Sequence, residues 1–329
     1  MRTVVYFFHP IDFAQIRKVL SLYQIITQFF STKFLSHKKF LVSSPFIFTS
    51  DTSEQLKIYY ILSNYWQDTT QKIEEELLSE ELINASFIAT DLGAHILSLG
   101  VIHQFFIAKK NFFYKHLKIP ITAGINFTAW SALEAVFKKA KEKNNELKKA
   151  TVGILGASTP LGQICRTLFR DLCQKLILTV DAEKDLGYLK ESVVGNNKEN
   201  IVSEETTLLQ LADYIIDTST RNTLPDIKNL TKESALIDLS MFRRFLRKID
   251  KKPLVSIIEG GLIRLPNKLK NNKFLSKYLN VVPASLAEAI LLVLENKVPS
   301  TQINYDANLE KIELLANFAA KHGFEVDLS

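Results

Sequence analysis

The chain has 329 residues, of which 47% are hydrophobic and 23% charged, and a formal net charge of +6. This is ample material for buried cores and too little charge for a disordered chain, so two globular domains are expected. The lysines are dispersed and no basic–aromatic module occurs, which argues against a nucleic-acid-binding protein.

At the N-terminus, Thr3–Phe8 is a β-branched and aromatic run closed by His9-Pro10 and reads as a strand. No small-residue cleavage site follows it, so a signal peptide is not expected. Ile11–Phe30 places Phe13, Ile16, Val19, Leu20, Tyr23, Ile26 and Phe30 at helical spacing. A short strand is expected at Phe40–Val42, a loop around Ser43–Ser53, and a helix over Glu54–Leu78 broken near Thr69 and Thr70. Ser86–Thr90 reads as a strand, with Leu92-Gly93-Ala94 turning the chain into Leu97–Phe106. The most apolar long window, Leu92–Ala108, carries His95, His103 and Gln104 and is too short and too polar for a membrane span.

Thr128–Lys148 reads as a long amphipathic helix with Trp130, Leu133, Val136, Phe137 and Ala140 on one face and lysines on the other. From Ala150 the pattern becomes strand–turn–helix alternation, the signature of a parallel sheet. Strands are expected at Thr151–Leu155, Leu176–Val180, Tyr214–Asp217, Ala235–Leu239 and Leu254–Ile258. Helices are expected at Leu161–Gln174, around Leu208–Leu211, and at Leu286–Glu295 and Asn308–His322. The expected fold class is α/β: a Rossmann-type doubly wound parallel sheet, with a second α/β domain from the N-terminal half, closed by C-terminal helices. The nucleotide-binding unit is placed at about 149–265, within a domain of 149–285. Residues 1–148 form the substrate domain, with helices from 286–329 packing back on it.

The segment Thr151–Gly162 (TVGILGASTPLG) carries the most chemistry. A strand delivers the backbone to a tight turn at Gly156, and the next amides point from a helix N-terminus toward a dinucleotide pyrophosphate. Gly162 lets the helix pack closely on the strand, and Pro160 suits the first helical position. The cofactor-binding residues are therefore Gly156, Ala157, Ser158, Thr159, Pro160, Leu161 and Gly162, with hydroxyls of Ser158 and Thr159 as added phosphate donors. The middle glycine of the usual pattern is replaced by Thr159. Asp181, at the end of the next strand, can accept from ribose hydroxyls and would repel a 2′-phosphate, which favours NAD(H). NADP(H) stays open, because Lys184 is close by in sequence. Thr218, Ser219 and Thr220 follow a further strand and are placed near the nicotinamide ribose. Gly124, Asn126, Thr128, Gly260 and Gly261 are placed in the nicotinamide and substrate vicinity.

Spread over nearly the whole chain, the motifs resemble the fatty-aldehyde-forming long-chain acyl-(acyl-carrier-protein) reductases and their predicted amino acid dehydrogenase relatives. The resemblance lies in Asp91–Ala94 (DLGA), Thr122–Ala129 (TAGINFTA), the nucleotide loop, Leu236-Ile237-Asp238, Glu259-Gly260-Gly261, Ala287-Glu288-Ala289, Glu310-Lys311 and Lys321–Phe324 (KHGF), in family order. It implies reduction of an acyl thioester to an aldehyde by a nicotinamide hydride, through an active-site cysteine a few residues after the Gly-Gly turn. That position falls on Pro266, which has no nucleophile. Ile125 and Phe127 also depart from the family's polar residues, and the family's association with NADPH disagrees with Asp181.

Three functions follow. The first is a dehydrogenase or reductase of a ketone, aldehyde, imine, alcohol or amino acid, with Asn126, Thr128, Asp238, Ser240 and Arg264 as unranked proton-donor candidates. The second is a thioester reductase working by direct hydride attack, its basic run Arg243–Lys248 meeting an acidic acyl carrier protein. The third is a non-catalytic nucleotide sensor or scaffold. Cys165 and Cys173 are eight positions apart, roughly 12 Å along one helix and too far for a disulfide, so a reducing, cytoplasmic setting is expected. No metal-ligand spacing is present, and a homo-oligomer is left open.

Overall fold

The structure is a computed structural model. It describes residues 1–9, 40–42, 45–63, 75–107, 117–193, 198–225, 234–241, 243–248, 256–269, 280–299 and 308–328. The helix expected at Ile11–Phe30 lies outside these residues. The strands in chain order are β1 (Arg2–Phe8), β2 (Phe40–Val42), β3 (Phe46–Thr49), β4 (Gln55–Ser63), β5 (Ile96–Leu99), β6 (Ile121–Thr122), β7 (Thr151–Leu155), β8 (Lys175–Leu178), β9 (Glu199–Ile201), β10 (Tyr214–Asp217), β11 (Ala235–Asp238), β12 (Ser256–Glu259), β13 (Leu262–Arg264), β14 (Val281–Pro283) and β15 (Glu325–Val326). Two compact units emerge: residues 1–124, 263–304 and 315–325 form the first, and residues 125–262, 305–314 and 326–329 the second.

The first unit holds a six-stranded mixed sheet in the order β2-β4-β1-β5-β6, with β3 paired to β4. β1 lies parallel to β4 and β5, whereas β2 and β3 run antiparallel to β4. Val4, Val5 and Phe7 of β1 are fully buried, as a strand between two neighbours requires. The helix Ala284–Leu294 is buried along its whole length, which follows from its nearly unbroken apolar sequence.

Three sequence expectations are corrected in this unit. Within the loop expected around Ser43–Ser53, Phe46–Thr49 is a strand paired with β4. Gln55–Ser63 is a strand rather than the start of a helix over Glu54–Leu78, because Ile58, Tyr59, Tyr60 and Ile61 supply β-branched and aromatic surface between three partner strands. Residues 64–74 lie outside the described set. Ser86–Thr90 is the end of the helix Glu75–Asp91 rather than a strand. There the Thr90 hydroxyl donates to the Ser86 carbonyl at 2.8 Å, so a strand-favouring residue is accommodated inside a helix.

The second unit contains six parallel strands in the order β12-β11-β10-β7-β8-β9. Numbered within the unit, this is 3-2-1-4-5-6 from the β9 edge, the doubly wound Rossmann order. The sheet is built from fully buried apolar strands, among them Val152, Ile154, Leu155, Ile215, Ile216, Leu236 and Ile237. Helix Glu205–Leu211 packs tightly on β7, and a Cβ at Gly153 would lie 2.5 Å from Leu208. The amphipathic helix expected at Thr128–Lys148 spans Ile125–Glu142 and belongs to this unit. β13, β14 and β15 make a separate sheet in the order β14-β13-β15.

Candidate functional site

In a doubly wound sheet, ligands bind beyond the carboxyl ends of the strands, where the strand order reverses. Here that point lies between β7 and β10. β7 runs into Gly156, whose φ of +72° suits a residue without a Cβ. The helix Pro160–Phe169 then starts with Thr159 as N-cap and Pro160 in the first turn. The Thr159 hydroxyl accepts from the Gly162 amide at 3.0 Å and lies 3.2 Å from the Thr218 carbonyl. It therefore closes the turn from inside rather than facing a phosphate. A Cβ on Gly162 would come within 2.2 Å of the Gly156 carbonyl oxygen, so turn and helix touch backbone to backbone.

The Ala157 amide is held by the Thr179 carbonyl at 2.8 Å and the Thr159 amide by Gly156 at 3.0 Å. Among the described residues, the amides of Ser158 and Leu161 have no acceptor. They are the donors left for an anion at the helix N-terminus. The Ser158 hydroxyl lies 3.2 Å from Asp185 Oδ2.

Asp181, just beyond β8, sits against this turn. Its Oδ2 accepts from the Thr220 amide at 2.5 Å and the Thr220 hydroxyl at 2.7 Å. Its Oδ1 is buried without a hydrogen-bond partner among the described residues, 3.0 Å from where a Gly156 Cβ would stand. Burial pushes its pKa up, and the Thr220 bonds only partly offset this. Such a carboxylate oxygen is matched by a hydroxyl donor. Arg221, whose charge acts on Asp181, is fixed on the Val180 and Asp181 carbonyls at 2.9 Å and lies 3.7 Å from Glu205. Lys184 is exposed in the 3₁₀ turn Glu183–Asp185.

Thr218, Ser219 and Thr220 are brought to the same turn. The Thr218 hydroxyl reaches the Leu155 and Gly156 carbonyls at 2.8 and 3.0 Å, and Thr220 holds Asp181. Ser219 passes its backbone beneath Gly156, while its own hydroxyl is buried without a partner among the described residues. These residues brace the Gly156 turn.

Asp217 ends β10 and Asp238 lies opposite it at the end of β11. Asp217 receives the fully buried Arg244 at 2.8 Å, and Arg244 also forms a bidentate pair with Glu205, both contacts at 2.9 Å. Burial opposes the Arg244 charge, yet Asp217 and Glu205 hold its pKa above the ordinary arginine value. This brace is not visible in the sequence, where Arg243–Lys248 reads as one basic surface for a carrier protein; Arg244, at 0% exposure, cannot serve there. No local signal marks it, since the partners come from positions 205 and 217. Asp238 accepts from Ser240 at its amide and hydroxyl and from the amides of Phe245 and Leu246. Burial and Asp217 push its pKa above the usual carboxylate range. Asp238 and Ser240 thus organise the start of helix Arg244–Lys248.

Gly260 and Gly261 pack on β11: a Cβ on Gly260 would meet Ile237 at 2.6 Å, and one on Gly261 would lie 3.3 Å from Leu239 and 3.5 Å from Thr128. Asn126 is 1% exposed, and its Oδ1 has no partner among the described residues. In the first unit, Gly124 has φ +67° and a Cβ there would strike Ser285 at 2.2 Å. Arg264 is exposed on β13. Cys165 and Cys173 are free and buried, and burial pushes their thiols up to about 12 and about 11.

No family model matches the chain, and no curated protein was found to match it. Among solved structures, the chain is similar to shikimate dehydrogenase 1 from Peptoclostridium difficile, at 14% identity over 96% of this chain and 97% of that one, with a TM-score of 0.39. It is also similar to 5-ketofructose reductase of a Gluconobacter strain, at 10% identity over 96% and 99% of the two chains, with a TM-score of 0.40. L-tryptophan dehydrogenase from Nostoc punctiforme shows 10% identity over 98% and 80%, with a TM-score of 0.39. At these scores the likenesses carry no argument about substrate or reaction, and the fold assignment rests on the strand order. Among the described residues, no helix is long and apolar enough to cross a membrane.

Proposed function

We propose that the protein is a nicotinamide-dependent oxidoreductase that prefers NAD(H) and acts on a small carbonyl compound or its reduced counterpart. The observation carrying this reading is the orphaned Asp181 Oδ1 beside the Gly156 turn, at the switch point of a 3-2-1-4-5-6 sheet. The residues fit a dinucleotide. The amides of Ser158 and Leu161 would hold the pyrophosphate at the helix N-terminus. Asp181 Oδ1 would accept from an adenosine ribose hydroxyl, with Thr220 fixing the carboxylate's orientation. A second negative charge at the 2′ position would meet Asp181, while Arg221 is committed to carbonyls and Glu205.

A bound nicotinamide would supply or accept a hydride. The chain's own contribution there is positional: Gly260 and Gly261 keep side chains off the turn after β12, and Asn126 offers a buried amide oxygen to a donor on cofactor or substrate. Acyl transfer through a cysteine is not part of the proposal, because Pro266 stands at the expected position and both thiols are buried and protonated at neutral pH.

Titration of the protein with NADH and NADPH tests the reading. Tighter NADH binding, weakened about tenfold by Asp181→Ala, is expected from the loss of one hydrogen bond to a charged group. Tighter NADPH binding overturns the cofactor preference, and binding of neither overturns the proposal. Binding without turnover of any carbonyl, amino acid or acyl-thioester substrate favours a sensor or scaffold.

A further inference from the structure

The first unit gathers a second set of chemistry-bearing groups at the carboxyl ends of its central parallel strands. His9 directly follows β1, and Ser63 ends β4. His103 lies in the helix Val101–Ile107, which begins after β5 and Gly100, and Glu81 lies in the helix Glu75–Asp91. Positions 9, 81 and 103 are far apart in sequence, so spacing rules for metal motifs cannot see them.

Glu81 and His103 are 1% and 0% exposed. His9 Nε2 lies 2.6 Å from Glu81 Oε2, and the Ser63 hydroxyl donates to Glu81 Oε1. One ligand atom from each of His9, Glu81 and His103 can be chosen so that all three lie within 4.8 Å of one another. Ordinary packing explains part of this: His103 also sits 4.6 Å from Phe7, ring centre to ring centre, and 4.7 Å from His9. Packing does not explain the nitrogens. Neither ring nitrogen of His103, nor Nδ1 of His9, has a hydrogen-bond partner of ordinary geometry among the described residues. A buried imidazole normally satisfies its N–H, and leaving it unpaired is costly. The Leu78 backbone approaches the His103 ring outside ordinary hydrogen-bond geometry.

We propose that His9, Glu81 and His103 bind one divalent transition-metal ion of the zinc class. Two imidazoles and one carboxylate are its characteristic donors, whereas magnesium and calcium favour all-oxygen sets. Ligand atoms on a tetrahedral ion with bonds of about 2.0–2.1 Å stand roughly 3.3–3.4 Å apart, so His9 and Glu81 separate by about 0.7 Å and His103 closes by at most about 1.5 Å. Side-chain torsions provide such movements. Ser63 on the outer carboxylate oxygen and the Leu78 backbone at His103 stand where groups orienting metal ligands are found. The fourth position is left for water or an oxygen of a small ligand.

Untagged full-length protein, stripped with a chelator, is titrated with Zn²⁺ by calorimetry and by thermal melting. One equivalent per chain and a raised Tm, with no response to Mg²⁺, are expected. His103→Phe keeps an aromatic ring and Glu81→Gln keeps the shape, and each weakens Zn²⁺ binding at least tenfold while circular dichroism reports the fold. Should either variant fail to fold, Co²⁺ bound to the unaltered protein decides. The intense visible absorption of a four- or five-coordinate ion, discharged by Zn²⁺, supports the site, and a weak octahedral spectrum overturns it. Absence of stoichiometric Zn²⁺ binding, or binding unchanged in a folded His103→Phe variant, also overturns it.

Discussion

Each unit buries a cluster of charged or titratable side chains near strand ends, and the two clusters differ in how completely their polar atoms are matched. In the second unit, Arg244 meets Glu205, Asp217 and the Thr223 carbonyl, and every group of its fork has an acceptor. In the first, His9 and Glu81 meet each other, but three ring nitrogens of the His9–His103 pair have no hydrogen-bond partner of ordinary geometry among the described residues. A closed network is a brace, because its partners are already inside the fold. An open one is completed from outside. The same contrast holds at the Gly156 turn, where Thr159, Thr218 and Thr220 are internally matched and, among the described residues, the Ser158 and Leu161 amides and Asp181 Oδ1 are not.

The strongest way to break the closed cluster is Arg244→Ala, which strands Glu205 and Asp217 in the interior. A loss of about 3–5 kcal/mol is expected in urea unfolding. A triple variant, Arg244→Met with Glu205→Leu and Asp217→Asn, is expected to lose less than the single one, since no buried charge is then left unpaired. A larger loss for the triple variant would show that Arg244 acts through packing alone.

Gly162→Ala drives a methyl group into the Gly156 carbonyl. It should cost about 1–3 kcal/mol of stability and weaken NADH binding more than tenfold, read by fluorescence titration. Unchanged binding in a folded variant would remove the turn from the cofactor site. Asp181→Asn keeps the shape and the Thr220 contacts at one oxygen. Its effect should lie near 1.5 kcal/mol against NADH, with relative affinity for NADPH improved. An equal loss for both cofactors would assign Asp181 to bracing alone.

The smallest effect is expected at a matched pair near the surface. Glu295 accepts from Lys321 at 2.7 Å and approaches His322 Nε2 at 2.6 Å, and the Lys321 bond leads in lowering its pKa. A carboxylate with a depressed folded pKa contributes stability above its unfolded pKa and loses it as pH falls through the folded one. Glu295→Gln should therefore cost less than about 1 kcal/mol at pH 7, and the difference should vanish in acid below the carboxylate range. A gap that persists in acid would refute the ion-pair origin.

Much of the second unit was legible in the amino-acid pattern. Strands β7, β10 and β11 were foreseen within a residue, because a buried parallel strand is a short run of Val, Ile and Leu bounded by turn residues. In the first unit, Gln55–Ser63 reads as helix in sequence and is a strand in the fold, since an apolar run of mixed period does not distinguish the two until its neighbours are known. The sequence assigns Ser158 and Thr159 to the phosphate and Thr218 and Thr220 to the nicotinamide ribose, whereas the structure gathers Thr159, Thr218 and Thr220 at the Gly156 turn, because which hydroxyls face inward depends on torsions that composition does not carry.

What the sequence determined by itself is local and backbone-encoded: a strand ending in a glycine turn, a capped helix with proline in its first turn, and a carboxylate after the next strand. These follow from short-range sterics and hydrogen bonding, which neighbouring residues dictate. Tertiary structure decided the rest, namely the strand order that makes β7 and β10 neighbours, the Arg244 brace, and the meeting of His9, Glu81 and His103. Those features join residues tens of positions apart, and whether a buried polar atom is matched or left waiting is settled only when the packed interior removes water from it.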